Sequence, residues 1–147
     1  MKKEFVMRGQ TESGQTEVLN FSGFKPGMAY RMTEFTLYPS TSIGTASNEM
    51  VGSVTAGKTA QAPTDIDFND EGLIATTVSA AGTTGSNITT HTVVNDSFLI
   101  TQNLILMVQE TGGSNYPVNW QCRFESVKMT GPQEAVANYK QFQISDG

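Results

Sequence analysis

The residues best suited to bind an ion form one dense acidic cluster near the middle of the chain. Asp65, Asp67, Asp70 and Glu71 fall within a single short segment. Carboxylate oxygens at alternating positions are ligands that Ca²⁺ prefers. The spacing therefore suggests a candidate calcium site at Asp65, Asp67 and Asp70.

This cluster departs from the EF-hand pattern at two required positions. The sixth position of the loop holds Asp70 in place of glycine, and the twelfth holds Thr76 in place of glutamate. The EF-hand interpretation therefore fails, and a non-standard calcium site stays open. The alternative is a solvated acidic loop in which Ile66 and Phe68 pack into the core.

Other groups that could support catalysis are sparse. His91 is the only histidine and Cys122 the only cysteine. One histidine cannot build a histidine-based metal site, and no nucleophile elbow accompanies it. Cys122 falls at an apolar position of an alternating segment, where a thiol behaves as a small hydrophobe. We predict no catalytic residue, no cofactor and no enzymatic activity.

Charge and hydropathy bear on the partners of the chain. Nine basic residues stand against 14 acidic ones, which gives a net charge of −5. Phosphate backbones repel such a protein, so we expect no nucleic-acid partner. The longest apolar run, Leu104 to Val108, is too short to cross a bilayer, and the N-terminus lacks the apolar stretch of a secretory signal. We expect no membrane insertion.

The clearest structural element runs from Val118 to Met129. Apolar and polar residues alternate up to Phe124, which predicts a strand with one buried face and one solvent-exposed face. We predict that this strand is central in its sheet. Trp120 lies on the apolar side and is predicted to anchor the core. The apolar positions change phase after Phe124, which predicts a bulge or bend near Ser126.

A second strand is predicted over Leu104 to Val108, where a short continuous apolar run is typical of a strand covered on both faces. The segment Glu110 to Pro117 has the composition of a loop. The two strands that flank it are therefore predicted to form an antiparallel hairpin. A further short segment, Ser97 to Thr101, precedes them.

The rest of the chain contains weaker segments of the same kind, separated by turn residues. Eight or nine strands at this spacing predict an all-β fold, an antiparallel β-sandwich or a single jelly roll, with residues 1–147 as one domain. The weaker segments are Glu4–Arg8, Glu17–Phe21, Met28–Tyr38, Met50–Thr55, Leu73–Val78 and Ile88–Val94.

One short C-terminal helix is also predicted. Gly131 and Pro132 resemble a helix start, because proline is favoured in the first turn. Ala135, Val136, Tyr139 and Phe142 then fall on roughly one face. The alternative is a last strand over residues 139–144.

Two polar stretches, residues 40–63 and 76–92, are rich in Ser, Thr, Ala and Gly. Long polar loops on a sandwich commonly carry binding sites. A carbohydrate-binding or adhesive module would use exposed aromatic residues there, and Tyr116 and Tyr38 are the candidates.

The closing block of the chain carries a family resemblance. It consists of Asn103–Val108, the strand Val118–Glu125 and the Gly131–Pro132 segment. With the acidic, Thr/Ser/Asn-rich composition of the whole chain, it resembles small all-β, jelly-roll-like structural proteins of bacteriophage virions. Such proteins form capsids, vertices and decorations.

The resemblance implies a non-enzymatic virion component, assembled in the host cytoplasm, whose partners are copies of itself and other virion proteins. The composition favours assembly independently, because uncharged polar side chains enter subunit contacts at a lower desolvation cost than charged ones.

Overall fold

A computed structural model describes residues 3–21, 27–41, 43, 48–57, 59–81, 89–113, 115–132 and 135–136. The described residues contain eight β-strands. They are β1 (Glu4–Thr11), β2 (Thr16–Leu19), β3 (Met28–Pro39), β4 (Asn48–Ala56), β5 (Leu73–Ala81), β6 (Thr89–Val94), β7 (Leu104–Glu110) and β8 (Val118–Lys128).

The strands form two sheets that pack face to face. The smaller sheet has the order β1-β8-β3 and the larger has the order β2-β7-β4-β5-β6. Every pairing between these strands is antiparallel. The fold is therefore an all-β antiparallel sandwich, as the strand spacing predicts.

β8 is the central strand of the smaller sheet, which confirms the prediction from its alternation. It pairs with β1 from Glu4↔Glu125 to Thr11↔Val118, and with β3 along its other side. Trp120 is 8% exposed and Cys122 is fully buried, so both face the core as expected.

The bulge predicted near Ser126 is wrong. Burial keeps alternating along β8 through Ser126, which is itself buried. The backbone amide of Lys3 donates to the Ser126 hydroxyl at 3.0 Å, so a polar side chain is satisfied at a core-facing position. The register shift of this sheet lies on β3, between Met32 and Glu34.

The hairpin predicted between β7 and β8 is also wrong. β7 pairs with β2 and β4 in the larger sheet, so the loop after Glu110 carries the chain from one sheet to the other. β7 is not covered on both faces. Leu104, Leu106 and Val108 are fully buried, whereas Ile105 and Met107 are only half-buried.

The segment from Ser97 to Thr101 forms no strand. It contributes one isolated bridge, in which the amide of Ile100 donates to the carbonyl of Tyr30 at 2.7 Å and Tyr30 donates back at 3.0 Å. Ile100 is fully buried, so the segment closes one end of the core.

The core lies between the inner faces of the two sheets, and an aromatic group occupies the end near β1. Phe5 stacks on Phe124 with ring centroids 5.5 Å apart, and Phe21 meets Phe124 edge-on at 5.1 Å. Such pairs stabilise a core beyond the area that they bury. The remaining inner residues are mainly Met, Leu, Ile and Val.

Four residues at the start of the predicted C-terminal helix have helical backbone geometry, namely Gly131, Pro132, Ala135 and Val136. The rest of the helix, and the alternative strand over residues 139–144, lie outside the described residues. In the part of the chain that the structure describes, no helix is long and apolar enough to span a membrane.

Candidate interaction surfaces

The acidic segment lies in a loop that packs on the outer face of the larger sheet. The Ser53 hydroxyl donates to the carbonyl of Gln61 at 2.5 Å, and the Gln61 amide donates to Thr55 Oγ1 at 3.3 Å. These contacts explain why Ser53 and Thr55 are buried although their side chains face away from the core.

Gln61 organises the carboxylates of this loop. Its Nε2 donates to Asp70 Oδ2 at 2.9 Å, and its Oε1 accepts the Asp67 amide at 2.6 Å. Asp67 Oδ1 accepts the amide of Asn69, and Asp70 Oδ1 accepts the amide of Gly72, both at 2.9 Å. The carboxylate oxygens of Asp67 and Asp70 therefore stabilise the loop itself.

The calcium hypothesis gains no support from this arrangement. Asp65, Asp67 and Asp70 are all exposed. Among the described residues, no group of three or more His, Cys, Asp or Glu side chains is placed to hold a metal ion. Calcium binding at these aspartates stays a prediction from sequence.

The expectation that Phe68 packs into the core is wrong. Its side chain is 66% exposed, while Ile66 is half-buried. Phe68 borders a small surface cavity of about 180 Å³. The other lining residues are Leu73, Ile74, Ala75, Thr76, Val93 and Asn95.

His91 and Cys122 lie in different sheets and in different environments. His91 is exposed on β6, opposite Val78 of β5. Cys122 is buried at the centre of β8, and burial raises the pKa of its thiol to about 12. A thiol with that pKa stays protonated at neutral pH and is a poor nucleophile.

The four sheet edges differ in how they are protected against pairing with another chain. β1 carries Glu4 and Arg8, and β2 has only four residues, one of them Glu17. β3 carries charged side chains, a register shift and Pro39. Short length, charges, bulges and proline are the usual devices that block edge-to-edge pairing.

The edge strand β6 has none of these devices. Its sequence is Thr-Thr-His-Thr-Val-Val, without Lys, Pro, Gly or an acidic residue, and it pairs with β5 without a register shift. Two exposed apolar side chains lie on the outer face beside it: Val93 is 50% exposed and Val78 is 39% exposed. Among the described residues, β6 is therefore the sheet edge that lacks Lys, Arg, Pro, acidic residues and a register shift.

A groove of about 640 Å³ crosses the outer face of the smaller sheet, at the opposite side of the sandwich. The strand register places two rows of side chains there, Arg8–Gln121–Thr36 and Gln10–Asn119–Tyr38. Residues that line the groove are Arg8, Gly9, Thr36, Tyr38, Asn119, Trp120 and Gln121.

The two tyrosines considered for sugar binding differ from each other in exposure and position. Tyr38 is 60% exposed and lines the groove, whereas Tyr116 is half-buried in the loop before β8. The polar stretch 76–92 is not one long loop, because β5 and β6 contain all of its described residues.

Sequence reasoning missed the role of Glu110, which it assigned to a loop. Glu110 ends β7 and is only 2% exposed. Its two carboxylate oxygens accept the backbone amides of Gly112 at 2.6 Å and Asn115 at 2.8 Å. The signal available from sequence was its position, two residues before a Gly-Gly turn.

No family model, curated protein or solved structure matches the chain.

Proposed function

We propose that this protein is a non-enzymatic structural component of a virion, which assembles through contacts with copies of itself and with other shell proteins. The observation that carries the proposal is the edge of β6, which lacks these protecting devices and lies beside the exposed side chains of Val78 and Val93.

Pairing of two β6 edges would join two larger sheets into one. Two identical antiparallel strands can meet around a two-fold axis, because each then offers the other the same pattern of donors and acceptors. Each backbone hydrogen bond gained contributes about 0.5–1.5 kcal/mol. Val93 and its counterpart would lose exposed apolar surface at the same contact.

Electrostatics favour this edge over the other three. Each copy carries a net charge of −5, so copies repel one another at a distance. β6 contains no acidic or basic residue other than His91, so no like charges are forced together where the strands meet. Contacts with other shell proteins would use the remaining polar surface.

The experiment is a mass measurement of the purified chain across a dilution series, with Val93→Lys as the variant. We expect the unchanged protein to associate, and Val93→Lys to weaken association by about tenfold or more, because a lysine on an edge strand opposes strand pairing and each copy would bring one into the contact.

The matched control is Val18→Lys. Val18 is 61% exposed on β2, at the other edge of the same sheet, so its replacement adds the same charge away from β6. Both variants should keep the native melting temperature. A monomeric unchanged protein, or equal association of Val93→Lys and the unchanged chain, contradicts the proposed contact.

The virion assignment has its own test. The chain should be found by mass spectrometry in purified virus particles, at a copy number that fits a repeating component. Its absence from the particles would contradict the assignment even if the chain associates through β6.

A further inference from the structure

We infer that the groove on the outer face of the smaller sheet is a binding site for an acidic saccharide. This site lies on the opposite sheet from β6 and does not depend on the assembly proposed above. Its volume of about 640 Å³ falls within the usual range of small-ligand sites, about 300–1,000 Å³.

Planar polar side chains are fixed along the groove by one another. Arg8 donates through Nε to Gln121 Oε1 at 3.0 Å and through a terminal nitrogen to the same oxygen. In the next row, Gln10 Nε2 donates to Asn119 Oδ1 at 2.9 Å. Asn119 Nδ2 in turn donates to the carbonyl of Pro39 at 3.4 Å.

These hydrogen bonds prepare the groove for a ligand rich in hydroxyl groups. Amide side chains offer both donors and acceptors, and a sugar hydroxyl uses both. Because the amides are held between strands of a rigid sheet, little side-chain freedom is lost when a ligand binds.

The charge of the groove selects for an anion. Arg8 is the only ionised side chain among the described residues that line it, and its hydrogen-bond partner Gln121 is neutral. The other arginines on this face differ, since Arg123 pairs with Glu34 and Arg31 pairs with Glu125, each at 3.3 Å. The groove therefore holds an uncompensated positive charge in an acidic protein, and a guanidinium binds carboxylates well.

Tyr38 supplies the apolar surface that a sugar ring needs. It stands at the end of the row Gln10–Asn119–Tyr38 with 60% of its surface exposed, so its ring borders the polar side chains. The C–H face of a pyranose packs on an aromatic ring, while the phenolic hydroxyl stays available to solvent or ligand. A simple anion would gain nothing from this ring.

The experiment is a titration of the full chain followed by backbone-amide NMR, which suits a protein of 15.9 kDa. The probes are sodium glucuronate, glucose and sodium acetate. We expect glucuronate to shift amides in residues 8–10, 36–38 and 119–121. We expect glucose to shift them less at equal concentration, and acetate least.

Two variants assign the effect to the groove. Arg8→Gln should weaken glucuronate binding by about tenfold or more, because the charged contact is lost. Tyr38→Ala should weaken the binding of glucuronate by about threefold to tenfold, because the ring and its hydroxyl are lost while Arg8 keeps its charged contact.

The matched controls are Arg123→Gln, which removes an arginine from the same face, and Phe68→Ala, which removes an aromatic ring of similar exposure on the other sheet. Both should bind glucuronate as the unchanged chain does. Equal responses to glucuronate and acetate, shifts confined to other residues, or unchanged binding by Arg8→Gln would each overturn the inference.

Discussion

The indole ring of Trp120 lies against Gly9, the residue directly opposite it on β1. A Cβ atom placed on Gly9 would stand 2.9 Å from Cζ2 of that ring, which is closer than real side chains come. The same indole donates its Nε1–H to the hydroxyl of Thr11 at 2.9 Å. The absence of a side chain at Gly9 therefore gives the ring room to lie over β1 and to reach Thr11.

Replacing Gly9 with alanine should destabilise the fold by about 1–3 kcal/mol, the usual cost of overpacking a core. The new methyl group must displace the Trp120 ring and strain its hydrogen bond to Thr11. Urea unfolding followed by tryptophan fluorescence measures both the loss and the changed environment of the ring. Gly131→Ala is the control, because a Cβ there meets nothing within 4 Å. Equal stability of the two variants would contradict the role given to Gly9.

Replacing Glu110 with glutamine should destabilise the protein by about 1–3 kcal/mol, because one amide acceptor is exchanged for an NH₂ group that faces a backbone donor. Hydrogen exchange of the Gly112 and Asn115 amides should rise, and urea unfolding should show the lost stability. Glu17→Gln, at an exposed position on β2, removes the same charge and should change stability by less than about 0.5 kcal/mol. Unchanged hydrogen exchange at both amides would contradict the role of Glu110 in holding this loop in place.

The thiol of Cys122 should make stability fall in alkaline solution. Burial raises its pKa from 9.0 to about 12, so the folded state keeps the proton after the unfolded state has lost it. The contribution is complete below pH 9 and is lost as the pH rises towards 12, by at most about 1.4 kcal/mol per pH unit. The difference in unfolding free energy between the unchanged chain and Cys122→Ala, followed against pH, isolates this effect. A pH-independent difference would show that the thiol is not desolvated.

Strand positions were predictable from sequence because alternation and turn residues are local signals. The pattern Val118, Trp120, Cys122, Phe124 reports one buried face directly, and the structure confirms it. The pattern misled at Ser126, since a hydroxyl satisfied by the Lys3 amide can occupy a core position. Hydropathy changed phase there, but the backbone did not.

Sheet membership was not predictable from the same signals. Leu104–Val108 and Val118–Phe124 are neighbours in sequence, yet they pair with strands far away along the chain. The groove depends on this pairing, because Arg8, Gln121 and Thr36 come together only through the register of β1, β8 and β3. The unprotected edge of β6 is likewise a property of its place in the sheet. Tyr38 was recognisable as a candidate from its residue type alone.

The central place of β8 also bears on the order in which the chain acquires structure during synthesis. Among the described residues, β1 and β3 pair within their sheet only with β8, which is the last of the eight strands to be made. Glu4 therefore cannot form its strand pairing until Glu125 has been synthesised. The larger sheet can begin earlier, since β4 and β5 are adjacent in sequence and pair directly. Such long-range pairing is also slow to nucleate. We therefore expect the nascent chain to expose the apolar sides of β1 and β3 until β8 has been made.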